Sequence, residues 1–335
     1  LQETAELTSR ENDLFEKYER LENGVDRLFR FANAGMVTGD TLEIEIKKWS
    51  DLFWEFHQEY SDSFAGERAA VSSVALLEGW DHELMMERLR KAVRSDEGLI
   101  PFASRIGPRY YARNVNLESA LSFLDTLDTY HSDKKIDMEL DRNRIELLYD
   151  SARVDDARRL LESFKQVHSN EPDARRWIER FEYDLTSLAP GSEIPEFQIH
   201  TTEGKQITKS SLLDTAYLLE LTQLNNLLYQ QQYDRGIAIF HIYKNYGIEF
   251  ITIPLGASDV MIEAFFEERP RLWHVARPGS FDEEEIREQF NINIIPTRIL
   301  VDRNGNVIRK YEGTEFNDII NGLRQILNSN TEEPS

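Results

Sequence analysis

Along the first 188 residues, apolar side chains recur at steps of three and four; beyond residue 192 they gather in short runs. Leu14, Tyr18, Leu21, Val25, Leu28 and Phe31 share one face of a 3.6-residue period, which predicts a first helix. Thr38-Gly39-Asp40 interrupts it. A second helix then carries Trp49, Leu52, Phe53, Phe56 and Tyr60 on one face. That aromatic stripe suits helix–helix packing, with a docking surface as the alternative. A short helix over 67–79 follows, rich in Ala and Val, and Asp81 is placed to cap the next, which contains Leu84, Met85, Leu89 and Val93. Helical pairs are expected over Leu140–Ser151 and Val154–His168. A further helix from Pro172 to Leu185 turns Trp177, Ile178, Phe181 and Leu185 inward. Tyr149, Ala152, Ala157 and Leu160 resemble one tetratricopeptide-type helix pair, although a repeat architecture needs several stacked copies.

The segment from Ser95 to Asn116 reads as the least helical part of this half, because Gly98, Pro101, Gly107 and Pro108 punctuate it. It also concentrates Arg105, Arg109, Tyr110, Tyr111 and Arg113. Such a basic-aromatic patch suits an acidic partner or a carboxylate ligand. It equally suits helix capping and pairing with neighbouring Asp and Glu.

At Leu188-Ala189-Pro190-Gly191-Ser192 the helical period stops. Two buried-looking strands follow, Tyr217–Thr222 and Ile248–Pro254. Ile294-Ile295-Pro296-Thr297-Arg298-Ile299-Leu300-Val301 then runs into a hairpin turn at Asp302-Arg303-Asn304-Gly305-Asn306. The expected organisation is α+β: an all-α domain over 1–188, possessing a repeat-like character, then an α/β domain over 189–328 and a polar tail over 329–335.

Charge narrows the function. With 61 acidic against 39 basic residues the formal net charge is −22, which repels nucleic-acid phosphates and anionic lipid. Arg outnumbers Lys 28 to 11. An acid-rich, Lys-poor surface suits saline surroundings, with plain solubility the simpler reading. The chain has no cysteine, so a disulfide, a thiolate nucleophile and a Cys-ligated metal are all excluded within it. No run approaches the roughly 18 apolar residues of a membrane span. Leu1 is preceded by neither Met nor an apolar leader, so a removed targeting segment or a trimmed start is expected.

Other chemistries lack their signatures. There is no phosphate-binding glycine loop, no Gly-x-Ser-x-Gly elbow and no His-Glu-x-x-His pair; His82-Glu83 has no second His at that spacing. The Asp302-x-Asn304-Gly305 turn lacks the distal Glu of a calcium loop. Asp282-Glu283-Glu284-Glu285 reads as an acidic first turn of a helix. The seven histidines are dispersed. Neither metal nor cofactor is expected, short of a site assembled from separated residues.

The order and spacing from Pro190-Gly191 and Pro195-x-Phe197 through Thr202-Glu203-Gly204-Lys205, the two strands and Ile295-Pro296-Thr297 resemble the thioredoxin-like superfamily. The branch is that of TlpA/ResA/AhpC-type thiol-disulfide oxidoreductases. The resemblance covers Pro190 to Leu327 and implies an α/β/α domain on a central mixed sheet. Pro254–Asn293 corresponds to the helical insertion of that branch. Active members carry Cys-x-x-Cys at the start of the helix after the first long strand, where helix-end N–H groups stabilise the thiolate. A second cysteine resolves the mixed disulfide. The matching positions here are Asn226, Leu227, Leu228 and Tyr229. The resemblance also implies a cis peptide before Pro296. Asn226 keeps the ability to cap the helix while supplying no nucleophile.

These readings lead to a non-catalytic thioredoxin-like protein that serves as a binding or structural subunit of a larger assembly. Its expected partner is protein, not nucleic acid. The expected contact surface is Asn225, Asn226, Leu228 and Tyr229 with Ile295 and Thr297. The resemblance implies a bacterial periplasm or cell envelope, with a lipid anchor or a removed signal. Two rival readings stay open: an oxidoreductase by fold that works through a partner's thiols or a bound cofactor, and a chaperone-like peptide binder at the cis-proline groove.

Overall fold

A computed structural model describes residues 2–33, 36–37, 39–78 and 80–329. The chain forms two compact units, 1–147 and 148–335.

The first unit is helical. Its elements are α1 (Gln2–Asn33), α2 (Gly39–Glu59), α3 (Phe64–Leu77), α4 (His82–Ser95), α5 (Ile100–Asn114), α6 (Leu117–Asp128) and most of α7 (Lys134–Asp150). Leu14, Tyr18 and Val25 of α1 pack with Phe53 and Phe56 of α2, whereas Phe31 and Leu52 are exposed. The Ser63 hydroxyl caps α3, and the Asp81 carboxylate caps α4 by accepting the Leu84 N–H. Arg88 of α4 is buried and donates to the hydroxyls of Ser50 and Ser73 and to Asp51, so one guanidinium ties three helices together.

Residues 95–116 correct the expectation of an irregular segment, for α5 runs from Ile100 to Asn114. Pro101 sits in the first helical turn, where a missing N–H costs nothing. Pro108 lies inside the helix, carried by tertiary packing. Gly107 is the contact point with α6: a Cβ there would lie 2.1 Å from the Phe123 ring. The prolines and glycines that read as loop punctuation are thus a helix start and a close approach.

His57 is buried in this unit, its Nδ1 lying 3.0 Å from the Gly66 carbonyl. Burial lowers its pKa below the ordinary imidazole value, against smaller opposing effects of the Gly66 carbonyl and Asp96. The unfolded chain therefore takes up this proton at a higher pH than the folded one. The stabilisation is present above about pH 6.5 and is lost as pH falls toward the lowered folded pKa. Urea midpoints of the wild type are expected to fall more steeply from pH 7 to 5.5 than those of His57→Gln. Parallel slopes would remove His57 from the account.

The second unit holds α8 (Val154–His168), α9 (Pro172–Ser187), β1 (Gln198–His200), β2 (Gln206–Thr208), β3 (Ala216–Thr222), α10 (Leu227–Tyr243), β4 (Ile248–Pro254), α11 (Asp259–Glu267), β5 (His274–Val275), α12 (Glu283–Gln289), β6 (Thr297–Val301), β7 (Val307–Glu312) and α13 (Ile319–Ser329). Strands β1 and β2 pair in a small hairpin. The main sheet has the order β5-β4-β3-β6-β7, with β5, β4 and β3 parallel and β6 and β7 antiparallel to their neighbours. β3 is central and buried at every position. Its alternation feeds two cores: Tyr217, Leu219 and Leu221 enter one with Phe197, Ile251, Phe290 and Ile299, and Leu218 enters the other with Tyr229, Phe250, Phe265, Trp273 and Leu323.

The pattern change at Leu188–Ser192 marks where helices give way to strands, but compactness divides the chain earlier, between Leu147 and Leu148. Polar ties explain why α8 and α9 go with the sheet. Tyr149 O–H donates to the Leu188 carbonyl at 2.8 Å, and Arg309 on β7 pairs with Asp150 at 2.6 Å. Buried Lys310 reaches both oxygens of Asp184 on α9 at 3.1 Å, and Asn291 donates to the same carboxylate and to the Arg180 carbonyl. Within the helix pair, Trp177 stacks on Phe181 and meets Phe164 edge-on. No helix among the described residues is long and apolar enough to cross a membrane.

Candidate functional site

The site lies where β3 ends and α10 begins, facing the loop before β6. β3 carries the chain to Thr222, and Gln223–Asn226 makes the turn, closed by an Asn226 N–H bond to the Gln223 carbonyl at 3.0 Å. The Asn226 side-chain oxygen accepts the Tyr229 N–H at 2.9 Å, which satisfies one of the open donors of the helix. The other end of the same amide donates to the Ile295 carbonyl at 3.5 Å. Asn226 thus caps α10 and leans on the adjoining loop. The Ile295–Pro296 peptide bond is cis.

The four residues that start α10 part company as a helix demands. Leu227 is 75% exposed and Leu228 is half-buried, while Tyr229 is 0% exposed. Tyr229 stacks on Phe265 at 5.9 Å and meets Tyr233 edge-on at 5.8 Å. This corrects the expectation of Tyr229 as a contact residue: two positions beyond exposed Leu227, the helix turns its side chain into the core. Thr297 is likewise corrected. It is fully buried and its hydroxyl donates to the Ile294 carbonyl at 2.6 Å. The accessible surface is therefore Asn225, Asn226, Leu227 and Leu228, with Ile294 and Ile295 from the facing loop.

Behind Tyr229 stands a network that periodicity did not single out. Arg298 on β6 and Glu220 on β3 are directly paired in the sheet register and are 1% and 4% exposed. Arg298 Nε donates to Glu220 at 2.7 Å, and its Nη1 donates to Gln232 on α10 at 2.7 Å. Glu220 also accepts the Thr252 hydroxyl at 2.8 Å, and Thr252 in turn accepts the Trp273 indole N–H at 2.9 Å. Gln232 donates onward to the Gly313 carbonyl at 2.9 Å. The guanidinium lies over the rings of Phe316, at 4.7 Å, and Tyr229, at 5.8 Å. The signal was present in the sequence as one acid and one base, each inside an otherwise apolar strand run. Register alone makes them partners.

Chemically, this arrangement is filled and neutralised. Burial, reinforced by the charge of Glu220, holds the Tyr229 phenol well above the ordinary tyrosine range, so it stays protonated and offers no phenolate. No thiol is present anywhere in the chain. Around the cis proline, the Ile294, Ile295 and Pro296 carbonyls accept from Thr297, Asn226 and the Gly313 N–H respectively. Each of these carbonyls therefore holds one bond within the chain.

The basic-aromatic group lies elsewhere, in the first unit. Arg105 pairs with Glu139 at 3.0 Å, Arg113 reaches Glu78 at 3.9 Å and the Tyr111 hydroxyl accepts from Arg90. Tyr110 meets His82 and Tyr111 through ring contacts, and Arg109 is also engaged within the chain.

The five-stranded mixed sheet, the helix beginning after its central strand and the cis proline facing that helix define a thioredoxin-like domain. In sequence it is similar to thiol-disulfide oxidoreductases, but it has no cysteine. The chain is 20% identical over 142 residues to the thiol-disulfide oxidoreductase ResA of Bacillus subtilis, covering 42% of this chain and 77% of that protein. It is 23% identical over 132 residues to ResA of Geobacillus kaustophilus, covering 39% and 74%. Among solved structures, a thioredoxin-family thiol:disulfide interchange protein from Chlorobium tepidum aligns with a TM-score of 0.37 at 18% identity, over 42% of this chain and 98% of that one. The thioredoxin domain of a thiol-disulfide oxidoreductase from Bacteroides vulgatus aligns with a TM-score of 0.37 at 18% identity, over 40% and 97%. No family model matches the chain.

Proposed function

We propose that this protein is a non-catalytic member of the thioredoxin-like oxidoreductases, working as a binding or structural subunit of a larger cell-envelope assembly. The observation that carries the reading is Tyr229. At the position matched to the second cysteine of active relatives, a fully buried aromatic ring is packed against Phe265 and backed by the Arg298–Glu220 pair. Thiol-disulfide exchange needs a nucleophilic thiol at the first position and a resolving thiol at the second; Asn226 and Tyr229 supply neither, and the Tyr229 ring fills the core instead. The peptide-groove reading stays as the alternative, because a carbonyl that holds one internal bond keeps a second lone pair for a peptide N–H. The envelope setting rests on the ResA likeness, and the protein partner rests on the exposed apolar side chains of Leu227 and Ile294.

The test joins activity to binding. Purified protein with dithiothreitol is expected to reduce insulin no faster than the reductant alone. Tagged protein, mildly extracted from its source, is expected to bring down one stoichiometric envelope partner, and Leu227→Asp is expected to lower that yield at least tenfold. Turnover above the blank would revive the oxidoreductase reading. A yield unchanged by Leu227→Asp would move the contact surface elsewhere.

A further inference from the structure

We infer that the turn between α6 and α7 is a binding site for a divalent cation of zinc chemistry, formed by Asp128, His131 and Asp137. His131 lies between the C-terminal residue of α6 and the first turn of α7. Its side chain is 0% exposed, yet neither ring nitrogen has a hydrogen-bond partner. A buried imidazole in that condition is costly unless something unites it with its surroundings. Its Nε2 points at two carboxylates, 3.7 Å from Asp128 and 3.8 Å from Asp137.

Those distances fit a shared ion or a loose charge pair, and exclude a direct hydrogen bond. They are too long for an N–H···O hydrogen bond, which needs about 2.7–3.2 Å. Two ligands on one zinc ion, each at about 2.0–2.2 Å, stand roughly 3–4 Å apart. The three ligand atoms lie within 4.8 Å of one another, so some point is within about 2.4 Å of all three, a few tenths of an ångström from zinc bond lengths.

The donor set also fits. Two carboxylates and a neutral imidazole supply two negative charges to a doubly charged ion. The imidazole favours zinc and its first-row neighbours over magnesium and calcium, which take oxygen ligands. The carboxylates are half-exposed, at 54% and 47%, so water has access to the remaining coordination positions. Asp133 is not a competing ligand, because its carboxylate accepts the Lys135 N–H at the start of α7. An ion here would join the end of one helix to the start of the next. The chain's lack of cysteine leaves no thiolate to compete for it.

Calorimetry of the full chain with zinc chloride tests the site. One zinc per chain is expected. His131→Ala and Asp137→Asn are each expected to weaken uptake more than about a hundredfold, beyond the usual cost of losing a supporting neighbour. The thermal midpoint is expected to rise with zinc in the wild type and not in these variants. Asp128→Asn, a half-exposed change, serves if His131→Ala fails to fold. Magnesium is expected to bind far more weakly. No zinc uptake by the wild type, or undiminished uptake in the variants, overturns the site. Equal affinity for magnesium overturns its chemistry.

Discussion

Arg298→Met is expected to destabilise the second unit by about 3–5 kcal/mol, the usual cost of removing one member of a buried ion pair. The loss is set less by the missing bond than by what remains. Glu220 would keep a charge on the central strand with only the Thr252 hydroxyl to offset it. Gln232 would lose its Nη1 donor, and the rings of Phe316 and Tyr229 would lose the cation above them. If desolvation of the orphaned carboxylate is the cause, Glu220→Leu together with Arg298→Met should recover most of the loss, because an apolar pair of comparable volume leaves no charge behind. Hydrogen exchange of peptides from β3 and β6, read against urea, measures both variants in the unit concerned. Equal destabilisation of the single and double variants would mean that shape, not charge, holds these strands.

Tyr229→Ala is expected to cost about 3–5 kcal/mol, as for other large aromatic side chains removed from a core. Leu227→Asp, two residues away, should change stability by no more than about 0.5 kcal/mol, as surface substitutions do. The contrast follows from burial: Tyr229 is enclosed by Phe265, Tyr233 and Arg298, whereas Leu227 meets solvent. It also separates two roles at one helix start, since Leu227→Asp should abolish partner capture in a protein that is still folded. Urea denaturation and the co-purification yield, measured on the same two variants, give both answers. A small loss for Tyr229→Ala would show that the site has room to collapse and is less sealed than its geometry indicates.

Much of this was legible beforehand because it is local. Periodicity fixes Val154–His168 as a helix and Ile248–Pro254 as a strand. Side-chain chemistry fixes Asp81 and Asn226 as caps, since each bond spans only three residues. The missing cysteines exclude thiol chemistry without any coordinates. Pro101, Gly107 and Pro108 misled because punctuation has two meanings, and only the neighbouring Phe123 ring selects a helix with a close contact.

What the tertiary structure decided is which side of each element looks inward and which distant charges meet. The sequence shows a helix start at Asn226-Leu227-Leu228-Tyr229, but the phase of that helix against the sheet sends Tyr229 into the core and Leu227 into solvent. It shows Glu220 and Arg298 as two odd residues in apolar strands; the antiparallel register of β3 and β6 makes them one neutral pair. It shows Asp128, His131 and Asp137 as scattered polar residues, and a helix turn gathers them around one buried imidazole. Local bonding preferences are written residue by residue. Burial and pairing between strands are properties of the packed whole, and here they put Tyr229 and the Arg298–Glu220 pair in the core.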